Sequence, residues 1–281
     1  MKVMTDKINK NGFELHNLKH VSVSQANKFR EAPDAWIADK LYGYKSPYGY
    51  PALQGLAVES AVEMRLYNGI VADDCVSHAL DRFASDIKLM KDSAAEFEKR
   101  APIIERMVRT ALEQLVDLGK PEEPPVGSRQ HNIGIPVRFK KNASNGAINC
   151  IGFLDFYYPD KQLVIDLKTT AKAPSGWSIS HGIQAAVYKK AVEAMTGKPA
   201  TVKFLYVLTR QKDPFVWLTM EDPDYYLKIF KRTIISLEAL LSVSSDAADL
   251  LKIIPHNPDS FYWSGAEHIA AELYGDDGKA K

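Results

Sequence analysis

The feature that most constrains the fold of this chain is a pair of apolar segments that meet at a polar turn. Residues 151–158 and 162–167 are rich in aromatic and β-branched side chains, and Pro159, Asp160 and Lys161 separate them. Proline and aspartate beside a third polar residue are typical of a tight turn. Two such runs around a short turn predict a β-hairpin.

Two acidic residues interrupt the apolar runs of this hairpin. If the turn is centred between residues 160 and 161, Asp155 and Asp166 lie directly opposite each other on one face, with Cβ atoms about 5 Å apart. Lys168 follows two residues later, so its side chain emerges on the same face. Like charges in such positions destabilise a sheet. The pair therefore indicates a site for a hard divalent cation, Mg²⁺ or Mn²⁺, which prefers oxygen ligands.

Two interpretations of this face are open. In the functional one, a bound cation and Lys168 orient or activate a water for phosphodiester hydrolysis. In the other, the hairpin lies at the surface and its Asp and Lys side chains are solvated charges. The functional interpretation is favoured because both carboxylates interrupt apolar runs instead of ending them.

Motifs in and around the hairpin resemble those of a known nuclease family. They are, in chain order, Gly152-Phe-Leu-Asp155, then Val164-Ile-Asp166-Leu-Lys168-Thr-Thr170, then Gln184 with Tyr188 four residues later. This order is similar to that of the RecB-like branch of the PD-(D/E)xK nuclease superfamily, which includes phage recombination exonucleases similar to the lambda exonuclease. The likeness covers residues from about 21 to about 209.

The predicted fold is α/β with a restriction-endonuclease-like core. We expect a small mixed β-sheet flanked by helices, and a helical insertion over residues 70–126, before the catalytic hairpin. The whole chain, residues 1–281, is expected to form a single nuclease domain. Its last residues, 271–281, are predicted to be a flexible tail.

The resemblance also implies a set of metal ligands. The helix predicted over residues 52–67 contains Gly55-Leu-Ala-Val-Glu59, which matches a family element whose last residue reaches the metal. Glutamate replaces the histidine of the better-known pattern, but a carboxylate suits the same hard ion. Glu63, four residues later, is interpreted as a solvated helix charge. The ligands implied for one or two Mg²⁺ or Mn²⁺ ions are Glu59, Asp155, Asp166 and the carbonyl of Leu167, and the implied catalytic set is Glu59, Asp155, Asp166 and Lys168.

Four further residues are candidates for contact with nucleic acid. Gln184 and Tyr188 share one face of the helix predicted over residues 182–195. The resemblance implies that they support the active-site strand or the DNA backbone, although Tyr188 can equally be a core residue. Ser24 lies in a helix that resembles the one with which the family approaches DNA. Trp177, in the loop before residue 182, is a candidate for stacking on a base or for acting as a wedge between bases.

Capping residues and prolines predict where the helices of the N-terminal half begin and break. Ser22 and Gln25 fit a capping box, with Ser24 as an alternative N-cap. Pro33 is expected to kink or split the helix that begins at this cap. Residues 76–118 are predicted to be helical, with Pro102 dividing them into two helices.

Composition favours an enzyme over a protein that coats DNA. The 36 Lys and Arg residues nearly balance the 35 Asp and Glu residues, for a net charge of +1. A non-specific DNA-coating protein is usually strongly basic, whereas an enzyme needs basic residues only along a local channel. Cys75 and Cys150 are too few for an iron–sulfur cluster, so none is expected. The sequence shows neither a signal peptide nor an apolar run of membrane length, so a cytoplasmic protein is expected, without membrane partners.

Together these features predict a metal-dependent DNA nuclease. The expected activity is that of a phage or prophage recombination exonuclease that acts from DNA ends, with a single-strand annealing protein as a partner and a homo-oligomer as a compatible assembly. One alternative is a structure- or site-specific DNA endonuclease on the same core. Another is a non-catalytic DNA-binding partner protein, but simple binding does not require Asp155, Asp166 and Lys168 together.

Overall fold

The computed structural model describes residues 10–140 and 143–275, which form two small β-sheets and flanking helices. The strands are β1 (His20–Ser22), β2 (His131–Arg138), β3 (Ala147–Leu154), β4 (Phe156–Tyr158), β5 (Leu163–Thr170), β6 (Thr201–Leu208) and β7 (Phe215–Thr219). The helices are α1 (Gly12–Leu15), α2 (Val23–Glu31), α3 (Pro33–Lys40), α4 (Tyr50–Asn68), α5 (Ala72–Ile87), α6 (Ser93–Leu115), α7 (Ile179–Thr196), α8 (Asp224–Leu241), α9 (Ala247–Ile253) and α10 (Glu267–Tyr274). The predicted α/β architecture is confirmed, with two mixed sheets in place of one.

Both sheets combine parallel and antiparallel pairs. The first has the order β1-β3-β2, in which β1 is parallel and β2 antiparallel to β3. The second has the order β4-β5-β6-β7, with β5 and β6 parallel and both outer pairs antiparallel. In it, Phe156 pairs with Ile165 across the turn Pro159–Lys161. This is the register predicted for the hairpin, because the next pair outward would be Asp155 and Asp166.

The chain changes sheets at Asp155. The apolar run 151–158 was predicted to be one strand of the hairpin, but Leu154 ends β3 in the first sheet and Phe156 begins β4 in the second. Side-chain hydrogen bonds replace the strand ladder at the break: the Tyr67 hydroxyl donates to the Asp155 carbonyl at 3.2 Å, and the Asp155 carboxylate accepts from the backbone N–H of Leu167 at 2.9 Å. The prediction of one unbroken strand was therefore wrong.

Helices cover the sheets from both sides. On one side α4, α5 and α6 form an apolar core with the second sheet, in which Phe156, Ile165 and Leu205 are buried. On the other side α7 packs Ala185 and Tyr188 against the same sheet. Helices α2 and α8 cover the first sheet. Asp155 thus lies between two layers of helices.

The N-terminal helices begin and break as predicted. The Ser22 hydroxyl accepts from the backbone N–H of Gln25 at 3.2 Å, and the Gln25 side chain accepts from the backbone N–H of Ser22 at 3.2 Å, which completes the capping box. Ser22 is therefore the N-cap, and Ser24 is not. Pro33 begins a separate helix, α3, because proline is tolerated at the first position of a helix.

The helices predicted over residues 76–118 are present as α5 and α6, but Pro102 does not divide them. The break between α5 and α6 falls at residues 88–92, where Asp92 has a positive φ of 58°. Pro102 lies inside α6. An internal proline costs about 3 kcal/mol, and here apolar packing continues on both sides of it, with Phe97 stacked near Phe83 and Ile104 fully buried. Tertiary packing therefore overrides the local preference.

The C-terminal segment is anchored to the N-terminal helices. The buried Asp34 carboxylate accepts hydrogen bonds from the Trp263 indole at 2.9 Å and from the backbone N–H of Asn257 at 2.8 Å, and it lies 2.9 Å from His256 Nδ1. The predicted tail begins inside α10, which ends at Tyr274, and residues 276–281 lie outside the described residues. No helix of the described part of the chain is long and apolar enough to cross a membrane.

Candidate active site

Asp155 and Asp166 are both buried at the junction of the two sheets. Asp155 lies at the break between β3 and β4, and one of its carboxylate oxygens is held by the backbone N–H of Leu167. Asp166 lies in the middle of β5 and is completely buried. Because Leu167 follows Asp166 in β5, its hydrogen bond to Asp155 holds the Asp155 carboxylate against the strand that contains Asp166. The structure therefore brings the two predicted acidic residues together.

Lys168 and Gln184 approach Asp166 from two directions. The Lys168 ammonium forms an ion pair with Asp166 Oδ2, as expected for a residue two positions along the same strand. Gln184 Nε2 donates to Asp166 Oδ1 at 3.0 Å and to the Tyr188 hydroxyl at 2.8 Å. Lys168 Nζ also lies 5.2 Å from the centre of the Phe204 ring. Gln184 thus contacts the acidic strand directly, and Tyr188 braces Gln184.

Glu59 joins the site through two residues that the sequence did not single out. Gln130 Nε2 lies 2.8 Å from Asp155 Oδ1 and 3.2 Å from Glu59 Oε1, so one amide bridges both carboxylates. Arg129 Nη2 donates to Glu59 Oε1 at 3.0 Å and lies 3.4 Å from Glu63 Oε1. Both residues lie directly before β2, and neither belongs to a motif identified in the sequence.

The interpretation of Glu63 as a solvated charge was wrong. Its side chain is only 18% exposed and forms an ion pair with Arg129. Because Glu59 and Glu63 are four residues apart on α4, both face the same guanidinium. Arg129, from a segment more than sixty positions away, could not be assigned to them from the sequence.

Two glycines allow the close approaches that build the site. A Cβ atom on Gly152 would lie 2.5 Å from Cε1 of Tyr188, so the ring of Tyr188 rests on the bare backbone of β3. A Cβ atom on Gly55 would lie 2.7 Å from Oγ1 of Thr169, so α4 contacts the end of β5. Each glycine precedes an acidic residue of the site by three or four positions. The spacing of both motifs therefore has a packing reason.

Burial perturbs the titration of the acidic residues. Burial, and then the charge of Asp155, raise the pKa of Glu59 from 4.5 to about 8. Burial raises the pKa of Asp166 from 3.8 to about 7, and it raises the pKa of Asp155 in spite of the Lys168 ammonium. Burial acts to lower the pKa of Lys168, but Asp166 and Asp155 outweigh it, so the pKa of the ammonium is raised. The site therefore contains more buried carboxylates than its cations neutralise.

This donor set fits a hard divalent cation. Within residues 10–140 and 143–275, no group of three or more His, Cys, Asp or Glu side chains is arranged so that it could hold a metal ion by itself. Mg²⁺ usually takes only one or two protein carboxylates and completes its shell with water and phosphate oxygens. Asp155 and Asp166 provide two carboxylates, and Glu59 is linked to Asp155 by Gln130. An added positive charge would also relieve the surplus of carboxylates.

The remaining candidates lie at the edges of the site or away from it. Trp177 packs edge-on against Phe204 at a centroid distance of 5.0 Å, on the ring that also contacts Lys168. The exposed Ser24 is hydrogen bonded to the Ser22 hydroxyl at 2.9 Å, in the first turn of α2, and not to the acidic cluster. Several arginines of α5 and α6 are engaged within the protein: Arg82 with Asp86, Arg100 with Glu96, Arg106 with the Thr209 carbonyl, and Arg109 with Asp73 and Glu105.

Comparison with known proteins assigns this chain to a family. The family model of the PD-(D/E)XK nuclease superfamily matches residues 20–259. A solved structure from Eubacterium rectale, provisionally named an exonuclease, is similar over 80% of this chain and 81% of its own, with 17% identity and a TM-score of 0.55. The structure of SSO0001 aligns over 64% of this chain and 85% of its own with 14% identity, but its TM-score is only 0.32.

No protein of curated function matches this chain. At 17% identity, the Eubacterium rectale structure supports the fold alone. The family match, in contrast, spans most of the sequence and includes every acidic residue of the site together with Lys168 and Gln184. The chain therefore belongs to the PD-(D/E)XK nuclease superfamily.

Proposed function

We propose that this protein is a divalent-metal-dependent DNA exonuclease of the RecB-like branch, with a role in phage or prophage recombination beside a single-strand annealing protein. The observation that carries the proposal is the meeting of Asp155, Asp166 and Lys168 with Gln184 of α7 at one buried point. These residues come from three elements, and packing alone does not require two buried carboxylates side by side. Residues 1–281 form one nuclease domain in this proposal.

The proposed ligands of the metal are Asp155, Asp166, Glu59 and the carbonyl of Leu167. A divalent ion held by these residues would supply stabilisation of the charge that develops on the phosphate, and it would lower the pKa of a bound water. The Leu167 carbonyl is a suitable ligand because the backbone N–H of the same residue already binds the Asp155 carboxylate, and Leu167 directly follows Asp166 in the chain. Oxygen ligands of this kind suit Mg²⁺ or Mn²⁺.

Lys168 is the proposed catalytic residue that acts on water. Its pKa is raised by Asp166 and Asp155 against the effect of burial, so it holds its proton in this arrangement. A protonated ammonium donates hydrogen bonds and cannot accept a proton. In this state Lys168 therefore orients the attacking water or a phosphate oxygen, and it becomes a base only if the charge of its carboxylate neighbours is neutralised.

Gln184 and Tyr188 have supporting roles in this proposal. The Gln184 amide is already engaged by Asp166 and Tyr188, so its proposed role is to hold the acidic strand. Tyr188 is buried against Gly152 and braces Gln184. Ser24 and Trp177 remain the proposed contacts to DNA outside the acidic cluster. Trp177 is favoured of the two by its packing on Phe204, beside Lys168.

Cleavage of end-labelled linear duplex and of relaxed closed circles, both with Mg²⁺, tests the proposal. We expect the linear DNA to be degraded from its ends while the circles survive. Helices flank the sheet junction on both sides, so the end of a DNA strand can enter the site more easily than an uninterrupted duplex can. The control is Lys168→Ala on both substrates. Rapid linearisation of the circles by the wild-type protein, and not by the variant, would favour the endonuclease. Absence of any metal-dependent cleavage would favour a binding protein.

A further inference from the structure

Two neighbouring residues, Arg129 and Gln130, contact the acidic cluster from outside the family motifs. They end the segment between the short helical turn Val116–Leu118 and β2. This segment is attached to the second sheet where the backbone N–H of Glu122 donates to the Tyr157 carbonyl at 2.8 Å. The two side chains therefore reach the site from a defined position, and they do so with different chemistry.

Gln130 acts as a neutral bridge. Its Nε2 atom carries two hydrogens, and these point to Asp155 Oδ1 at 2.8 Å and to Glu59 Oε1 at 3.2 Å. Glu59 comes from α4 and Asp155 from the junction of the sheets, so this amide links elements that are distant in the sequence. A neutral donor holds the two carboxylates close together without cancelling their charge, and Asp155 Oδ1, which accepts from Gln130, keeps a lone pair for another partner.

Arg129 acts instead as a counter-ion. Its guanidinium donates to the same Glu59 oxygen, Oε1, at 3.0 Å, and its Nε lies 3.4 Å from Glu63 Oε1. The Arg129 side chain is 47% exposed, whereas Glu59 and Glu63 are 17% and 18% exposed. An exposed cation thus covers two mostly buried carboxylates, one of which belongs to the proposed metal site.

There is space for Arg129 to leave Glu59. An open cleft of about 570 Å³ borders Arg129 and Glu63 and is lined by polar groups that include Ser60, His78 and Ser128. The guanidinium could remain solvated there, and still near Glu63, while Glu59 takes another partner. The cost of this exchange is small because the guanidinium is already partly exposed and ion pairs that reach solvent contribute little to stability.

We propose that Arg129 and Gln130 set the metal affinity of this site in opposite directions. Gln130 is a positioning residue that holds Glu59 beside Asp155 for coordination. Arg129 is an internal counter-ion that competes with the metal for Glu59 and moves toward the cleft when the metal is bound. This inference rests on the proposed function, because it takes Glu59 and Asp155 as metal ligands.

Calorimetric titration of the metal-free full-length protein with Mn²⁺, at one fixed pH, tests both halves. Arg129→Ala is expected to bind Mn²⁺ about two- to fivefold more tightly than the wild type, the range of a partly exposed ion pair. Gln130→Leu is expected to bind it roughly ten- to a hundredfold more weakly, as is usual when a partner that orients a ligand is removed. Circular dichroism before titration checks that each variant is folded.

Matched control variants show whether a change in Mn²⁺ affinity is specific to Arg129 and Gln130 or follows the loss of any comparable arginine or glutamine side chain. Arg109 is 42% exposed and also pairs with two carboxylates, Asp73 and Glu105, but away from the site, so Arg109→Ala should leave Mn²⁺ affinity unchanged. Gln114, which accepts from the Trp217 indole, provides the control Gln114→Leu. Arg129→Lys restores a charge and should return the affinity toward the wild-type value.

The outcomes distinguish this inference from the proposed function. If the wild type binds no Mn²⁺, the proposed function fails and this inference falls with it. If the wild type binds Mn²⁺ but Arg129→Ala binds it equally or more weakly, Arg129 is not a competitor. If Gln130→Leu binds Mn²⁺ as the wild type does, Gln130 does not position the ligands. Gln130→Asn keeps the amide but shortens its reach, so it must also weaken binding, and it replaces Gln130→Leu if that variant does not fold.

Discussion

Replacing Glu59 by glutamine should change how the stability of the metal-free protein depends on pH. Burial and the neighbouring Asp155 raise the pKa of Glu59 from 4.5 to about 8, so the folded protein holds a proton there that the unfolded chain releases near pH 4.5. A raised pKa stabilises the fold below the unfolded value, and this contribution is lost as the pH rises through the folded value. The affected window therefore runs from about pH 4.5 to about pH 8.

The structure gives the size of the effect. At about 1.36 kcal/mol per pH unit, the raised pKa corresponds to at most about 5 kcal/mol of stability lost across the window. Even a third of this amount would lower the melting temperature by about 3 to 6 °C for a chain of this size. The glutamine side chain of the Glu59→Gln variant would not titrate, but its amide oxygen could still accept from Arg129 and Gln130.

Thermal unfolding followed by circular dichroism, in chelator and between about pH 5 and about pH 8, measures this difference. We expect the wild type to lose stability steadily as the pH rises and Glu59→Gln to lose distinctly less. Glu105→Gln, which changes a carboxylate of the insertion paired with Arg109, should follow the wild type. Identical pH profiles for the wild type and Glu59→Gln would refute the argument, because Glu59 would then have an ordinary carboxyl environment.

Three other predictions test the site. Asp155→Asn and Asp166→Asn should each abolish cleavage and weaken Mn²⁺ binding measured by calorimetry. Asparagine is preferred to alanine because the Asp155 side chain accepts a hydrogen bond from the Leu167 N–H, which an amide oxygen can also accept. Unchanged Mn²⁺ affinity in both variants would show that these residues are not the metal ligands. Lys168→Ala should reduce turnover by roughly two or more orders of magnitude with DNA binding nearly unchanged, while full activity of Lys168→Arg would mean that only a fixed positive charge is needed. Gly152→Ala should destabilise the fold by about 1–3 kcal/mol in chemical denaturation, since its Cβ would meet the Tyr188 ring at 2.5 Å, and a neutral result would show that the ring can move.

Short-range features of the site followed from the sequence because they depend on local geometry. The alternation of side chains along a strand placed Asp166 and Lys168 on one face, and their ion pair confirms it. Turn chemistry gave the hairpin register, which the pairing of Phe156 with Ile165 confirms. The capping box at Ser22 is equally local. The order of the motifs also pointed to the PD-(D/E)XK superfamily, which the family match confirms.

Features that depend on contacts between distant segments required the tertiary structure. Pro102 was expected to break a helix, but apolar packing on both of its sides keeps α6 continuous. The strand containing Asp155 changes sheets because Tyr67 and Leu167, from elsewhere in the chain, take over its hydrogen bonds.

The surroundings of Glu59 show most clearly that contacts between distant segments could not be predicted from the sequence. Sequence spacing placed Glu59 and Glu63 on one helix face, but it gave no information about which cation would meet them. Arg129 reaches both glutamates, and Gln130 reaches Glu59, only because the chain returns after α6 to the start of β2, beside β3, which ends directly before Asp155. Periodicity determines which face of an element a side chain occupies, whereas the packing of elements determines what that face meets.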